Sequence, residues 1–189
     1  FGQFKSINFS GQGLVDVPPY LFKCSCLQQL DMSNNNLKHL PTDMLGLTTL
    51  QNLSLDGNDA SMVDIRSKED PQRYLVRAVF MNMVTRKVKR SAFSVFDKCE
   101  ELDLADLALN DVPEGLFECR SLKTLSLSKN NVAVLSINML GFTCLETLNL
   151  DDNVEGMIVA QSKDEDTQDY LVRSTFMNMA LREAPAATS

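Results

Sequence analysis

Few residues of this sequence have the type and spacing that catalysis requires. The single histidine, His39, stands in a turn at residues 37–40, and no nucleophile motif accompanies it. The Gly-Gln-Gly segment at 11–13 lacks the third glycine and the following helix of a dinucleotide fingerprint. We therefore expect a solvated histidine and a tight glycine turn, with no catalytic residue, no cofactor-binding residue and no cofactor.

The cysteines indicate neither a metal site nor a disulfide framework. There are five, an odd number, and none is in a C-x-x-C spacing. They are Cys24, Cys26, Cys99, Cys119 and Cys144. We expect reduced, mostly buried thiols and therefore a reducing, intracellular compartment.

The charge is distributed unevenly along the chain. Residues 1–95 carry 11 basic and 8 acidic side chains, a balance of +3, whereas residues 96–189 carry 7 basic and 17 acidic ones, a balance of −10. The overall net charge of −7 argues against nucleic-acid binding, which needs clustered lysine and arginine. The basic run 86–90 has four readings: a nuclear signal, a contact for an anionic partner, a phosphorylation determinant for Ser91, or a solubilising segment.

Internal repetition dominates the sequence at two scales. Residues 27–58 return as residues 122–153, and residues 74–83 return as residues 170–179, so the chain is a tandem duplication with an offset of about 95 residues. Within each copy the pattern L-x-x-L-x-L-x-x-N-x-L recurs every 23 residues. Its first position falls at Phe4, Leu27, Leu50, Cys99, Leu122 and Leu145.

Asparagine occupies the polar position of this pattern in four of the six repeats. These residues are Asn35, Asn58, Asn130 and Asn153, whereas the first repeat of each copy has Gln12 or Leu107 instead. A short amide side chain at this point can satisfy backbone groups where the chain leaves the strand. The alternation L-x-L turns leucines such as Leu53 and Leu55 to one face, which the neighbouring repeat covers.

Six matches at regular spacing resemble the leucine-rich-repeat family, with short 23-residue repeats of the intracellular type. The resemblance covers residues 4–63 and 99–158. It implies an α/β solenoid: a right-handed coil with a parallel β-sheet on its concave side, here tandem-duplicated. We expect strands near 5–9, 28–32, 51–55, 100–104, 123–127 and 146–150. On the convex side we expect Leu21 with Phe22, Leu45, Leu116 with Phe117, and Leu140 to point inward.

The end of each copy does not match the repeat. In segment 64–95 the favoured reading is a helix, capped by Ser67 with Asp70 three residues on, and with Arg73 and Arg77 on a polar stripe. The alternative is a degenerate fourth repeat, with Leu75, Ala78 and Phe80 as its ladder. We expect segment 163–183 to be a capping helix. The blocks 1–95 and 96–189 would then form one continuous solenoid.

Acidic residues recur at positions that we expect to face out of the concave sheet. They are Asp31, Asp56, Glu101, Asp103, Asp106, Glu146, Asp151 and Asp152. A solvated face and an acidic recognition surface are equally compatible with this pattern. A recognition surface is favoured to the extent that the repeats align these side chains in columns on one curved sheet.

The N-terminal edge of the first repeat has no room for a cap, since three residues precede Phe4. We expect an open apolar edge, covered by more chain or by another subunit. Its residues are Phe4, Ile7, Phe9 and Leu14.

These observations predict a non-catalytic protein-binding or scaffolding module, of which a structural subunit of a larger assembly is one form, with a protein as its partner. No apolar run is long enough to span a membrane. Two alternatives remain open: a recognition or regulatory arm of a longer enzyme chain, and an extracellular ligand-binding ectodomain. Two glycosylation triplets begin at Asn8 and Asn52, on predicted strands.

Overall fold

The computed structural model describes residues 3–60, 69–154 and 164–183. The chain divides into two compact units, Phe1–Val88 and Lys89–Ser189. This boundary lies seven residues before the end of the first sequence copy at residue 95. The prediction that both copies form one continuous solenoid stays a prediction.

The first unit contains three short parallel strands: β1 (Ser6–Asn8), β2 (Gln29–Asp31) and β3 (Asn52–Ser54). They pair in chain order, with Ile7 opposite Leu30 and Leu30 opposite Leu53. The strict 23-residue step explains this register, because it brings the same repeat position to the same height in each strand.

The second unit repeats the arrangement with β4 (Glu101–Asp103), β5 (Thr124–Ser126) and β6 (Thr147–Asn149). Leu102, Leu125 and Leu148 are aligned across its sheet, and all three are buried. Each of the six strands lies at its predicted place, one residue shorter at either end. The predicted strand positions are thereby confirmed.

Short 3-10 turns return the chain from one strand to the next within each sheet, and one further turn leads from the helix at the end of the first unit into β4. They span Pro19–Lys23, Thr42–Gly46, Arg90–Phe96, Glu114–Glu118 and Ile137–Gly141. Because such a turn has about three residues per turn, positions three apart share one side. Met44 and Leu47 are therefore buried, as are Met139 and Phe142. The prediction that Leu45 and Leu140 are the inward residues of these turns was wrong, since both are only half-buried.

Helix α1 (Pro71–Thr85) ends the first unit, so the helical reading of this segment is confirmed and the fourth-repeat reading is wrong. The carboxylate of Asp70 caps the helix by accepting hydrogen bonds from the backbone amides of Gln72 and Arg73, at 2.9 and 3.2 Å. The cap is therefore Asp70 itself. The predicted cap, Ser67, lies outside the described residues.

The predicted polar stripe on α1 was wrong at Arg77, whose side chain is only 2% exposed. Its Nε donates a hydrogen bond of 3.0 Å to Glu69, with which it also forms a salt bridge. The guanidinium lies 5.6 Å from the centre of the Tyr74 ring. An arginine tolerates burial here because a carboxylate and an aromatic face replace its water.

Helix α2 (Thr167–Glu183) begins four residues after the start of the predicted capping segment, and residue 163 lies outside the described residues. Gln168 fixes the helix start by donating to the carbonyls of Phe142 and Leu145, at 2.9 and 2.8 Å. Gln72 does the same in α1, with a bond of 2.7 Å to the carbonyl of Leu47. The duplicated glutamine thus attaches each helix to the preceding repeat.

The prediction of mostly buried cysteines was wrong. All five thiols are free, but only Cys24 and Cys119 are buried, whereas Cys26 and Cys144 are exposed and Cys99 is intermediate. The exposed pair occupies one and the same position of the 23-residue repeat, in turns just before β2 and β6. Among the described residues, no helix is both long enough and apolar enough to cross a membrane.

Candidate interaction faces of the two sheets

The middle residue of each strand points inward, buried in β2, β4, β5 and β6 and half-buried in β1 and β3, and the first and third residues lie on the outer side of the sheet. The first residue of every strand is exposed. We call the outer side of the first sheet the first sheet face: Ser6, Asn8, Gln29, Asp31, Asn52 and Ser54. The second sheet face consists of Glu101, Asp103, Thr124, Ser126, Thr147 and Asn149.

The asparagines of the repeat hold these strands in place. Asn130 is 5% exposed, and its Nδ2 donates to the carbonyls of Leu104 and Leu127, at 2.9 and 2.8 Å. Its Oδ1 accepts from the amides of Leu107 and Leu109 in the preceding repeat, at 3.0 and 3.1 Å. The predicted role of this asparagine in satisfying backbone groups is confirmed.

The other three asparagines make the same kind of bridge between neighbouring repeats. Asn35 accepts from the amide of Leu14, and Asn58 accepts from that of Leu37, both at 3.0 Å. Asn153 accepts from the amide of Val132 at 2.9 Å. These hydrogen bonds therefore fix the turn after a strand to the neighbouring repeat, and the turns hold the strands that form the sheet faces.

The third residue of a strand also turns the chain. Oδ1 of Asn8 accepts from the amide two residues later at 2.8 Å, and the side chains of Asp31, Asp103 and Asn149 make the same contact at 2.9 Å. Aspartate and asparagine are interchangeable here because each offers an oxygen to that amide. The carboxylates of Asp31 and Asp103 therefore have a structural role in the turn and also contribute negative charge to the sheet faces.

The eight acidic residues that we expected on strands have three different placements. Asp31, Glu101 and Asp103 lie on strands, and Glu146 directly precedes β6. The others lie in the turns that follow strands: Asp56, Asp106, Asp151 and Asp152. The strand placement was wrong for these, because each strand ends after three residues and its last side chain already starts the turn. All eight except the half-buried Asp31 are exposed.

The two sheet faces differ in charge. The first has one carboxylate, Asp31, whose pKa is lowered by hydrogen bonds from the side chain and backbone of Ser33. The second has two carboxylates, Glu101 and Asp103, both on β4 and both exposed. Beside them, Glu100 accepts from Lys123 at 2.9 Å, and this contact raises the pKa of the lysine.

The first sheet face encloses a shallow cavity of about 630 Å³. All nine residues of β1, β2 and β3 line it. Its outer side chains are amides and hydroxyls apart from Asp31, so it offers both hydrogen-bond donors and acceptors. Sequence reasoning missed Gln29, Asn52, Thr124 and Thr147, because none of them is charged. Their signal was the variable position directly before each L-x-L.

The N-terminal edge is apolar but only partly open. Phe4 is 56% exposed, whereas Ile7, Phe9 and Leu14 are half-buried. The Phe9 ring packs edge-on against Tyr20, with 6.5 Å between ring centres. Coverage of this edge by more chain or another subunit stays a prediction.

The histidine and the glycine turn lie apart from both sheet faces. His39 is half-buried in its turn, and Gly11 and Gly13 have φ of +67°, as a tight glycine turn requires. Within the part of the chain that the structure describes, no three histidine, cysteine or acidic side chains form a metal-binding group.

Comparison with protein families supports the repeat assignment over most of the chain. A model described as Leucine rich repeat matches residues 3–59, and one described as BspA type Leucine rich repeat region (6 copies) matches residues 75–158. The chain belongs to the leucine-rich-repeat family, and the predicted fold class is confirmed. Repeat domains of this family are typically non-catalytic protein-interaction modules.

The similar proteins are much longer than this chain. It is 31% identical over 110 residues to the flightless-1 homolog of Caenorhabditis elegans, covering 57% of this chain and 9% of that protein. It is 30% identical over 133 residues to the leucine-rich repeat serine/threonine-protein kinase 1 of Mus musculus, covering 68% and 6%. A solved leucine-rich-repeat protein of Leptospira interrogans is 20% identical, with a TM-score of 0.41, covering 94% of this chain and 41% of that one.

Proposed function

We propose that the chain is a non-catalytic binding module that holds a partner protein on its two sheet faces and scaffolds a larger intracellular assembly. The observation that carries this proposal is the outer side of each sheet: the first residue of all six strands is exposed and polar. The cavity of about 630 Å³ over the first face is wide enough for side chains of a partner.

The two faces suit different contacts. The first sheet face recognises neutral polar groups, through Gln29 and Asn52 at its centre. The second sheet face attracts a basic segment of the partner through Glu101 and Asp103. Charges at an interface mainly accelerate encounter, so salt slows this association.

The proposal is tested by affinity purification from native cells with four forms of the chain as bait. Wild type captures the partner. The variants Gln29→Arg/Asn52→Arg and Thr124→Arg/Thr147→Arg, each blocking one face, lose it. Asn138→Arg, on an exposed 3-10 turn, is the control and retains it. Capture of the partner by both blocked variants at the wild-type level, with their folding verified, overturns the assignment to the sheet faces.

A second experiment isolates the acidic contribution. Asp103→Asn removes the charge and keeps an oxygen for the amide of Ala105, as asparagine does at the equivalent positions of β1 and β6. Together with Glu101→Gln it slows association with the captured partner and reduces the salt dependence. An unchanged association rate contradicts the acidic surface while leaving the binding module intact.

A second candidate is a recognition arm of a longer enzyme chain. It is favoured by the similarity to the kinase of Mus musculus and by the small share, 6 to 9%, of the relatives that this chain spans. The full reading frame of the source distinguishes it: a catalytic domain in the same chain supports this second candidate, and its absence supports the scaffold.

A further inference from the structure

The last turn of α1 meets the turn at residues 37–40 around a small basic pocket. It has a volume of about 270 Å³ and lies entirely within the first unit. Its lining residues are Lys38, His39, Asn82, Thr85 and Arg86. We call this cavity, together with the five residues that line it, the basic pocket. Arg86 is the first residue of the basic run, so part of that run is brought next to two basic side chains nearly fifty positions earlier.

The fold fixes both walls of the basic pocket. Leu37 and Leu40 are buried on either side of Lys38 and His39. The amide of Leu40 donates to Oδ1 of the buried Asn82 at 2.9 Å, which joins the turn to the helix. The amide of Arg86 donates to the carbonyl of Asn82 at 3.1 Å, so that one asparagine anchors both walls.

The charges of the basic pocket are not balanced by the residues that line it. Lys38 and Arg86 are both exposed cations, and no carboxylate is among the lining residues. Among the described residues, neither cation forms a salt bridge. Two like charges facing one cavity repel each other, and an anion bound between them would relieve that repulsion.

The second copy of the repeat shows that the fold does not require this charge. Ala133 and Val134 occupy the positions of Lys38 and His39, and Leu181 occupies that of Thr85. Only Arg86 has a basic equivalent, Arg182, and a cation near the C-terminus of a helix has a structural use of its own. Lys38 and His39 therefore need an explanation beyond the fold.

We propose that the basic pocket binds a phosphate monoester carried on a serine or threonine of the partner protein. Arginine recognises phosphate oxygens through paired N–H donors, and lysine recognises them as a point charge. An imidazole adds a further hydrogen bond. The double negative charge of a phosphate monoester matches two cations better than a carboxylate does. The protein origin of the phosphate rests on the proposed function, whereas the oxyanion site itself does not.

The test is a titration of the isotope-labelled full chain, followed by amide chemical shifts. The probes are inorganic phosphate, a blocked phosphoserine peptide and the same peptide without phosphate, all at constant ionic strength. We expect saturable shifts confined to residues 37–40 and 82–87, with phosphoserine binding and the unmodified peptide failing to bind. Absence of saturable shifts with both phosphate probes overturns the proposal.

Lys38→Ala/His39→Val is the matched variant, because it installs the residues that the second copy already tolerates. We expect its affinity for phosphate to fall at least about tenfold, since it loses a charge-assisted contact. Lys98→Ala, which removes an exposed lysine of the second unit, leaves the affinity unchanged. Equal affinity of the matched variant and wild type overturns the assignment to this pocket.

Two further experiments distinguish a protein-borne phosphate in the basic pocket from a lipid ligand and from binding at the sheet faces. Vesicles containing phosphatidic acid, whose headgroup is a phosphate monoester, compete for the same residues only if the pocket is a lipid site, and their binding in preference to phosphoserine contradicts a protein-borne phosphate. Thr124→Arg/Thr147→Arg, which blocks the second sheet face, leaves phosphate binding intact. A failure of the sheet faces and a failure of the basic pocket are thus distinguishable.

Discussion

Oδ1 of Asn82 accepts a hydrogen bond of 2.9 Å from the backbone amide of Leu40, 42 residues earlier in the chain. The bond is buried, and it ties the last turn of α1 to the second repeat. Asn82→Ala leaves this amide without its partner, so we expect a loss of about 1–3 kcal/mol in the free energy of unfolding.

Urea denaturation of wild type and Asn82→Ala measures this loss. Asn36→Ala is the control, because Asn36 is exposed and we expect a change within about 0.5 kcal/mol. If both variants unfold at the same urea concentration, the contact does not stabilise the attachment of the helix.

Leu125 lies at the centre of the second sheet with none of its surface exposed. Leu125→Ala leaves a cavity between neighbouring repeats, and we expect a loss of about 2–5 kcal/mol in the free energy of unfolding. The adjacent Thr124→Ala, on the second sheet face, should change it by less than about 0.5 kcal/mol. Thermal unfolding of both variants checks the contrast, and an unchanged midpoint for Leu125→Ala contradicts its place in the core.

The parts of this fold that could be predicted from the sequence are those that each repeat must satisfy locally. A middle leucine has to be covered by the next repeat, and a buried turn needs an amide side chain such as Asn130 for its backbone groups. Both needs recur every 23 residues, so six weak signals reinforce each other. The start of α1 was predictable to within a few residues because proline and aspartate mark it.

The parts that could not be predicted depend on contacts between distant or differently shaped segments. Arg77 reads as a surface residue until Glu69 and Tyr74 are seen to enclose it. Within the 23-residue repeat, Asp56 stands two positions later than Asp103. Because each strand has only three residues, Asp103 lies on a strand, whereas Asp56 lies in the turn that follows one. The meeting of Lys38 with Arg86 follows from how α1 packs, which periodicity does not encode.

Because of Asp31, the free energy of unfolding of the first unit should depend on pH. Hydrogen bonds from Ser33 favour its carboxylate and lower its pKa in the folded state. A lowered pKa stabilises the fold above the unfolded-state value of about 3.9, and this stabilisation is lost as the pH falls through the folded-state value. Asp31→Asn, which keeps an accepting oxygen, should therefore lose less stability than wild type below about pH 4.

Carbon-detected titration of the Asp31 carboxyl group checks the direction of this shift. A midpoint below that of an ordinary aspartate, together with convergence of the two stabilities at low pH, agrees with the prediction. A midpoint above the ordinary value contradicts it, because the hydrogen bonds would then not favour the charged form.

The five free thiols should differ sharply in their reaction with iodoacetamide at about pH 8, because the thiolate is the reactive form. Burial, together with the nearby Cys99, Glu118 and Asp97, raises the pKa of Cys119 to about 12, which leaves only about one thiolate in ten thousand at that pH. Cys26 and Cys144 are exposed and should be alkylated first, while the buried Cys24 is protected by its packing.

Peptide mapping by mass spectrometry after timed exposure gives the rate at each site, and the urea-unfolded chain, in which all five react, is the control. If Cys119 of the native protein were alkylated as fast as Cys144, its thiol would be accessible to solvent, and the buried placement of Cys119 would be wrong.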